Sequence, residues 1–243
     1  MVTLQSLLLG GCREVIFGFS TKIDDRTDSP FGFNLSLTVG DAGGKAEGNR
    51  QRFFKSLGLE NRVATQNQVH SDKIIFVEKP GAQGESDAMI TDKPNLGLAI
   101  STADCATIFL FEPKRKIIAG VHSGWRGTSL AILEKTITKL VQEYGANPKE
   151  IIAYLAPSIS QKNYEVGVEV ARHFEDKYLL PKGEKFLLNV SKINYDILCK
   201  FDVKKENIQL STLCSLEWNS LLHSYRRDGN LSGRTLGVLA MKG

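Results

Sequence analysis

The chain has 243 residues, with 31 Lys and Arg against 27 Asp and Glu for a net charge of +4, and it is 42% hydrophobic and 24% charged. That balance excludes collagen-like, disordered and coiled-coil classes, and with no run of five like charges a nucleic-acid-binding arm has no footprint. A chain of this length buries enough apolar surface to fold without disulfides or a structural metal, and its four cysteines, at 12, 105, 199 and 214 with no close pair, fit a reducing cytoplasm.

Near the start, Leu7-Leu8-Leu9-Gly10-Gly11-Cys12 superficially resembles a lipoprotein cleavage box, but the apolar run is short and no basic stretch precedes it, so it reads as the ordinary start of a cytoplasmic chain. Val15, Phe17 and Phe19 alternate as a half-buried strand requires. A turn-rich stretch over 29–44 follows. Ala46, Arg50, Phe53, Phe54 and Leu57 then keep helical spacing up to Gly58. Arg62 to Val69 and Lys73 to Val77 read as two strands joined by a tight turn at Ser71-Asp72, with a glycine-rich loop running on to Glu85.

The most apolar stretch, Leu96 to Phe111, holds Asp104 at its middle. A carboxylate at a bilayer centre costs roughly 2.5–3.5 kcal/mol on insertion scales, so this is core strand and no membrane partner is expected. Gly97 to Thr102, Ala106 to Phe111 and Lys116 to Val121 are three strands, the last two joined by a turn at Glu112-Pro113-Lys114-Arg115. After His122 the loop Ser123-Gly124-Trp125-Arg126-Gly127-Thr128 leads into a helix with Leu130, Leu133, Ile137, Leu140, Val141 and Tyr144 on one face, closed by Gly145. Ile151 to Leu155 is a strand. Val166, Val170 and Phe174 mark one amphipathic helix and Val190, Ile193, Ile197 and Phe201 another, before strands at Ile208 to Leu213 and Thr235 to Met241. With no internal repeat or linker, residues 1–243 read as one domain of the α+β class, a sandwich with mixed sheets.

Three metal-binding side chains fall at strand ends in the middle of the chain: His70, Cys105 and His122. Two imidazoles and a thiolate suit zinc, and three protein ligands leave the open position of a catalytic site, where zinc lowers the pKa of water to about 7. The same residues also read as a small buried thiol and two hydrogen-bonded strand-end histidines. Asp104 sits beside Cys105 in an apolar run and needs a partner, whether a ligand histidine, a proton or an arginine. The glycine loop after His122 lets backbone N–H groups approach an anion, with Arg126 as a bidentate donor, but it lacks the spacing of the Walker and dinucleotide motifs. It reads equally as a strand-to-helix turn with Trp125 in the core and Arg126 on the surface. Arg226, Arg227 and Arg234 form a basic turn that lines an anionic site or caps a solvated hairpin. His173, His223, Cys12 and Cys199 read as non-ligands, and Cys214 stays open.

Gln68-Val69-His70, Asp87-Ala88, Thr102-Ala103-Asp104-Cys105, Val121-His122-Ser123-Gly124-Trp125-Arg126-Gly127, Pro157-Ser158-Ile159, Tyr164-Glu165-Val166-Gly167 and Ser224-Tyr225-Arg226-Arg227-Asp228-Gly229 occur in this order. Together they resemble the YfiH-like family, whose members are named both polyphenol oxidases (laccase domain) and purine nucleoside phosphorylases. The resemblance runs from about Phe17 to Met241. It implies a layered α/β sandwich with zinc on His70, Cys105 and His122, phosphorolysis of adenosine, inosine and methylthioadenosine, and deamination of adenosine. The partners it implies are therefore purine nucleosides and phosphate. Catalysis would fall to Cys105, Asp104 and Arg126, with Asp104 a candidate to protonate the leaving purine, and substrate binding to Arg50, Gln68, Ser123 and Arg126. Arg50 matches the family's Asn-Arg pair at Asn49-Arg50. Thr107, Ala156 and Asn163 depart from the residues the family often has there, and none is a proposed ligand.

Two other catalytic readings compete, beside that of a non-catalytic binding module. In one, Cys105 is the nucleophile of a hydrolase that edits peptidoglycan precursors, with a histidine as base. In the other, the site holds copper and oxidises phenols, although four histidines are few for a multicopper cluster.

Overall fold

The computed structural model describes residues 1–25, 30–41 and 44–243, so part of the turn-rich stretch over 29–44 lies outside the described residues. Two six-stranded mixed sheets pack face to face. The first runs in the order β1 (Thr3–Leu4), β2 (Val15–Ser20), β15 (Thr235–Met241), β7 (Gly97–Thr102), β3 (Val63–Asn67), β5 (Gly81–Glu85). The second runs β14 (Ile208–Leu210), β10 (Ile152–Leu155), β8 (Ala106–Glu112), β9 (Ile117–Ser123), β6 (Ala88–Thr91), β4 (Ile74–Phe76). A small third sheet joins β11 (Glu165–Val166), β13 (Lys185–Leu188) and β12 (Leu179–Lys182).

The inner faces interlock through aromatic side chains. Phe109 of β8 meets Phe17 of β2 edge to face at 5.1 Å, and a Cβ on Gly237 of β15 would come within 2.3 Å of the Phe109 ring. Glycine there lets the opposite sheet seat a phenylalanine. Helices cover the outer faces. Phe53 of α2 (Lys45–Ser56) packs with Val63, Ala99 and Val238 of the first sheet. Ile132, Leu133 and Ile137 of α4 (Ile132–Tyr144), with Ile193 and Ile197 of α6 (Val190–Lys200), pack on Ile108, Leu110 and Ala119 of the second. Strands clad on both sides lose their polar alternation, which is why β8 and β9 are buried throughout.

Several expectations change in the folded chain. The strands expected at 62–69 and 73–77 do not form a hairpin: β3 pairs in parallel with β7 of one sheet, and β4 in parallel with β6 of the other. Between them the chain crosses from sheet to sheet, with His70 in the left-handed region at φ 59°. The glycine-rich loop is itself partly strand, β5, at a sheet edge. The helix after Thr128 is interrupted at Ala131, φ 62°, which separates α3 (Trp125–Ser129) from α4. Val166, Val170 and Phe174 share a core face but not a helix, because Val166 pairs in β11 and α5 (Val168–Ala171) is a single turn. Among the described residues no helix is long and apolar enough to cross a membrane, and Leu96 to Phe111 enters β7 and β8.

Candidate active site

The β8–β9 register builds half of the site. Ala106 pairs with Ser123 and Thr107 with His122, so Cys105, one step beyond the pairing, lies beside Gly124. A Cβ on Gly124 would stand 2.9 Å from Cys105 Sγ and 3.3 Å from His70 Cδ2. The glycine of this loop therefore serves close approach of the backbone to two of the candidate ligands. The sheet-to-sheet crossover delivers the third group. The ligating atoms of His70, Cys105 and His122 all lie within 4.8 Å of one another, and the two imidazole rings meet edge to face at 4.9 Å.

Asp87, just before β6, organises this cluster. Its Oδ1 lies 2.8 Å from His122 Nδ1 and accepts the His70 backbone N–H at 3.1 Å. Its Oδ2 accepts from the Ser71 N–H at 2.6 Å and the Ser71 hydroxyl at 2.8 Å. Burial pushes the Asp87 carboxyl up, but the hydrogen bonds from His122 and Ser71 outweigh it and hold it at about 2. Burial likewise opposes charge on Cys105, yet the His122 charge and hydrogen bonds from both histidines bring the thiol down to about 6. For His122 burial lowers the value, and Cys105 and Asp87 raise it to about 9. Thiolate and imidazolium thus support each other.

This donor set fits a metal ion. With its Nδ1 proton held by the Asp87 carboxylate, His122 would give up the Nε2 proton on metal binding and ligate through Nε2, the usual arrangement around zinc. Zinc bonds of about 2.0–2.3 Å put two ligands of one ion no more than about 4.4 Å apart, close to the 4.8 Å within which the three atoms lie, so small side-chain shifts would close them on one ion.

A cavity of about 530 Å³ opens over the cluster and has His70, Cys105 and His122 in its lining. That is within the range of small-molecule sites. Arg50 of α2 and Arg234 reach its wall. Nε of Arg50 donates to the Leu35 carbonyl at 2.6 Å, and Nη1 of Arg234 donates to the carbonyls of Ser232 and Gly233 at 2.7 and 3.0 Å. Burial lowers the pKa of both guanidinium groups. The arginine ion pairs among the described residues are Arg52–Asp24 and Arg227–Asp228, so Arg50 and Arg234 have no carboxylate at ion-pair distance there. Two partly buried cations on one wall, neither in an ion pair among the described residues, can hold an anion.

The other expected residues are placed as follows. Gln68 lines the cavity, but its amide is held at both ends by Ser101, Nε2 to the carbonyl at 2.8 Å and Oε1 from the N–H at 2.7 Å. Ser123 does not reach the cavity: it is fully buried, with its hydroxyl on Thr128 at 2.8 Å and Asn194 at 3.0 Å. Arg126 is exposed, lies over the Trp125 ring at 5.1 Å and is absent from the cavity lining, because α3 turns its side chain outward. Asp104 gives both carboxylate oxygens to the C-terminal segment, accepting from the Ser215 hydroxyl and the Arg226 N–H, each at 2.6 Å.

Of the basic turn, Arg227 is spent on the carbonyls of Ser215, Leu216 and Leu222, and Arg226 donates to the Glu165 carbonyl. Arg234 alone of the three lines the cavity. His173 packs near Trp125, His223 is buried against the Phe33 carbonyl, and Cys214 accepts hydrogen bonds from Ser160. Asp87 is the site residue that the sequence motifs leave without a role. Its signal was a carboxylate set immediately before the apolar run Ala88-Met89-Ile90.

Comparison with known proteins places this arrangement. A family model described as multi-copper polyphenol oxidoreductase laccase matches residues 16–242. A purine nucleoside phosphorylase of Deinococcus radiodurans is 33% identical over 229 residues, covering 92% of this chain and 88% of the relative. One from Clostridium acetobutylicum is 34% identical over 181 residues, covering 72% of this chain and 75% of the relative. The crystal structure of the hypothetical protein YfiH of Bacillus licheniformis superposes with a TM-score of 0.89 at 29% identity, covering 94% of this chain and 93% of the other. YlmD of Geobacillus stearothermophilus has the same fold, with a TM-score of 0.91 at 24% identity over 98% of this chain and 94% of the other. The chain therefore belongs to the laccase-like YfiH family of multi-copper polyphenol oxidoreductase laccases.

Proposed function

We propose that this chain is a zinc-dependent purine nucleoside phosphorylase acting on adenosine, inosine and methylthioadenosine, with adenosine deaminase activity in the same cavity. The observation that supports it most is the pairing, in one cavity, of the His70, Cys105 and His122 cluster with the two unpaired arginines. Relatives named purine nucleoside phosphorylase point the same way.

In phosphorolysis a phosphate oxygen bonds to C1′ of the ribose as the bond from C1′ to N9 breaks. Its electron pair leaves with the purine, which takes up a proton. Arg50 and Arg234 hold the phosphate, neutralise part of its charge and orient it, the work of a preorganised cationic clamp. His70, Cys105 and His122 would hold the zinc, with Asp87 fixing the first and last of them. When bound, zinc supplies a Lewis-acid charge beside the substrate and activates water. In deamination water replaces the 6-amino group of adenosine, which departs as ammonia.

Incubation with adenosine tests both reactions at once. Free adenine that appears only with phosphate reports phosphorolysis, and inosine reports deamination. Neither product from folded, zinc-loaded protein overturns the proposal.

The lowered Cys105 thiol favours one second reading, a cysteine hydrolase of peptidoglycan precursors. Iodoacetamide would then abolish activity by labelling Cys105 and chelators would leave it intact, whereas the zinc reading predicts loss with chelators. Copper-dependent phenol oxidation has less support, because His173 and His223 lie elsewhere and the described residues form one ligand cluster.

A further inference from the structure

We infer that Tyr225 is the platform on which the purine base of the substrate stacks, and that Asp104 is the positioning residue that holds it there. The inference rests on the nucleoside reading above and names the contact that recognises the base.

Apart from the two candidate ligand histidines, Tyr225 is the aromatic side chain among the described residues of the cavity lining. It is 51% exposed, so its ring is open to a ligand. Arg234 covers one of its faces, with the guanidinium carbon 5.4 Å from the ring centroid. The carbonyls of Ser232 and Gly233 fix that arginine in turn. The second face makes no aromatic or cationic contact among the described residues. A purine offers a flat π-surface and needs one in return, and a ring braced from behind gives it with little loss of side-chain entropy. The rest of the lining is polar or aliphatic and offers no equivalent surface.

The placement of Tyr225 depends on Asp104. Tyr225 opens the short helix α7 (Tyr225–Asp228), and Ser224 caps it by accepting the Arg227 N–H at 3.2 Å. The N–H of the next residue, Arg226, donates to Asp104 Oδ2, while Ser215 donates to Oδ1. Asp104 itself has φ 87°, a conformation that non-glycine residues rarely take and that persists only where the surroundings enforce it. That turn lets neighbouring side chains diverge, Cys105 to the ligand cluster and Asp104 to the segment that carries Tyr225. The base platform and the metal site are therefore joined through one peptide bond.

Calorimetric binding of free adenine without phosphate tests the stacking role independently of turnover. Tyr225→Leu should weaken adenine binding and raise the Michaelis constant for adenosine by roughly ten- to a hundredfold. The Michaelis constant for phosphate should move much less, because the Ser232 and Gly233 carbonyls still hold Arg234, the zinc content should stay at the wild-type value, and Tyr225→Phe should restore adenine binding. Asp104→Asn should weaken adenine binding with zinc retained. Wild-type adenine affinity in Tyr225→Leu overturns the stacking role, and loss of zinc in Asp104→Asn overturns the positioning role. Should Tyr225→Leu fail to fold, an unimpaired adenine affinity in Tyr225→Ala or a failure of Tyr225→Phe to bind adenine does the same. A wild-type protein that binds adenine yet releases no base from nucleosides contradicts the phosphorylase reading and leaves the stacking role standing.

Discussion

His122 and Asp87 are joined by a contact of 2.8 Å between Nδ1 and Oδ1, with both side chains buried, and the same carboxylate oxygen accepts the backbone N–H of His70. One carboxylate thus aims a candidate ligand on β9 and another on the crossover between the sheets. Removing such a partner costs typically 10- to 100-fold in metal affinity or activity. Asp87→Ala is expected to lower zinc affinity by roughly that factor, read by competition with a chromophoric chelator. Asp87→Asn should fall between the two, since it keeps the acceptor oxygen but not the charge.

The approach of Gly124 to the cluster gives a second expectation. In Gly124→Ala the new Cβ meets Cys105 Sγ at 2.9 Å and His70 Cδ2 at 3.3 Å, so two of the proposed ligands must move. Overpacking of this kind costs roughly 1–3 kcal/mol. The variant should show a lower Tm and a zinc content below that of wild type, by elemental analysis and thermal denaturation.

The cationic wall predicts a split between substrates. Hydrogen bonds to charged groups contribute about 1.5–3 kcal/mol, a factor of roughly 10–100. Arg50→Met and Arg234→Met should each raise the Michaelis constant for phosphate by about that factor. The constant for the nucleoside should move less in Arg50→Met. In Arg234→Met it should move as well, because Arg234 also braces Tyr225. Steady-state kinetics with phosphate and nucleoside varied in turn separates the two.

Stability should depend on pH through His223. Burial lowers its pKa to about 4 in the folded chain, against an ordinary value near 6.5, although the hydrogen bond to the Phe33 carbonyl opposes the shift. The unfolded chain binds the proton more readily, so stability from this group is complete above about pH 6.5 and is lost as pH falls towards about 4. The full loss is on the order of 3 kcal/mol. His223→Gln should flatten that limb of a urea-denaturation series between pH 7.5 and pH 4.5.

Much of the fold is legible in the amino-acid order because β7, β8, β9 and β15 are long apolar runs bounded by turn formers, and their limits follow from that pattern. The pairing of β3 and β4 is not, since a tight turn between two strands looks alike whether it closes a hairpin or carries the chain between sheets. The candidate ligands His70, Cys105 and His122 stand out by residue type at strand ends. A glycine loop entering a helix points to Arg126 for an anion, beside Arg50 as a second donor, but α3 is one short turn and its arginine leans on Trp125, whereas Arg50 lines the cavity. Arg234 reaches the cavity through a C-terminal segment pinned to Asp104, a contact 122 positions away in the chain that no local pattern announces.

The proposed phosphorolysis depends on zinc held by His70, Cys105 and His122. Protein carrying about one zinc per chain is given inosine with and without phosphate, and the measurement is repeated after chelation and after zinc is restored. The expected result is hypoxanthine only with phosphate, lost on chelation and recovered with zinc. Hypoxanthine formed equally without phosphate, or unaffected by complete removal of zinc, would contradict it.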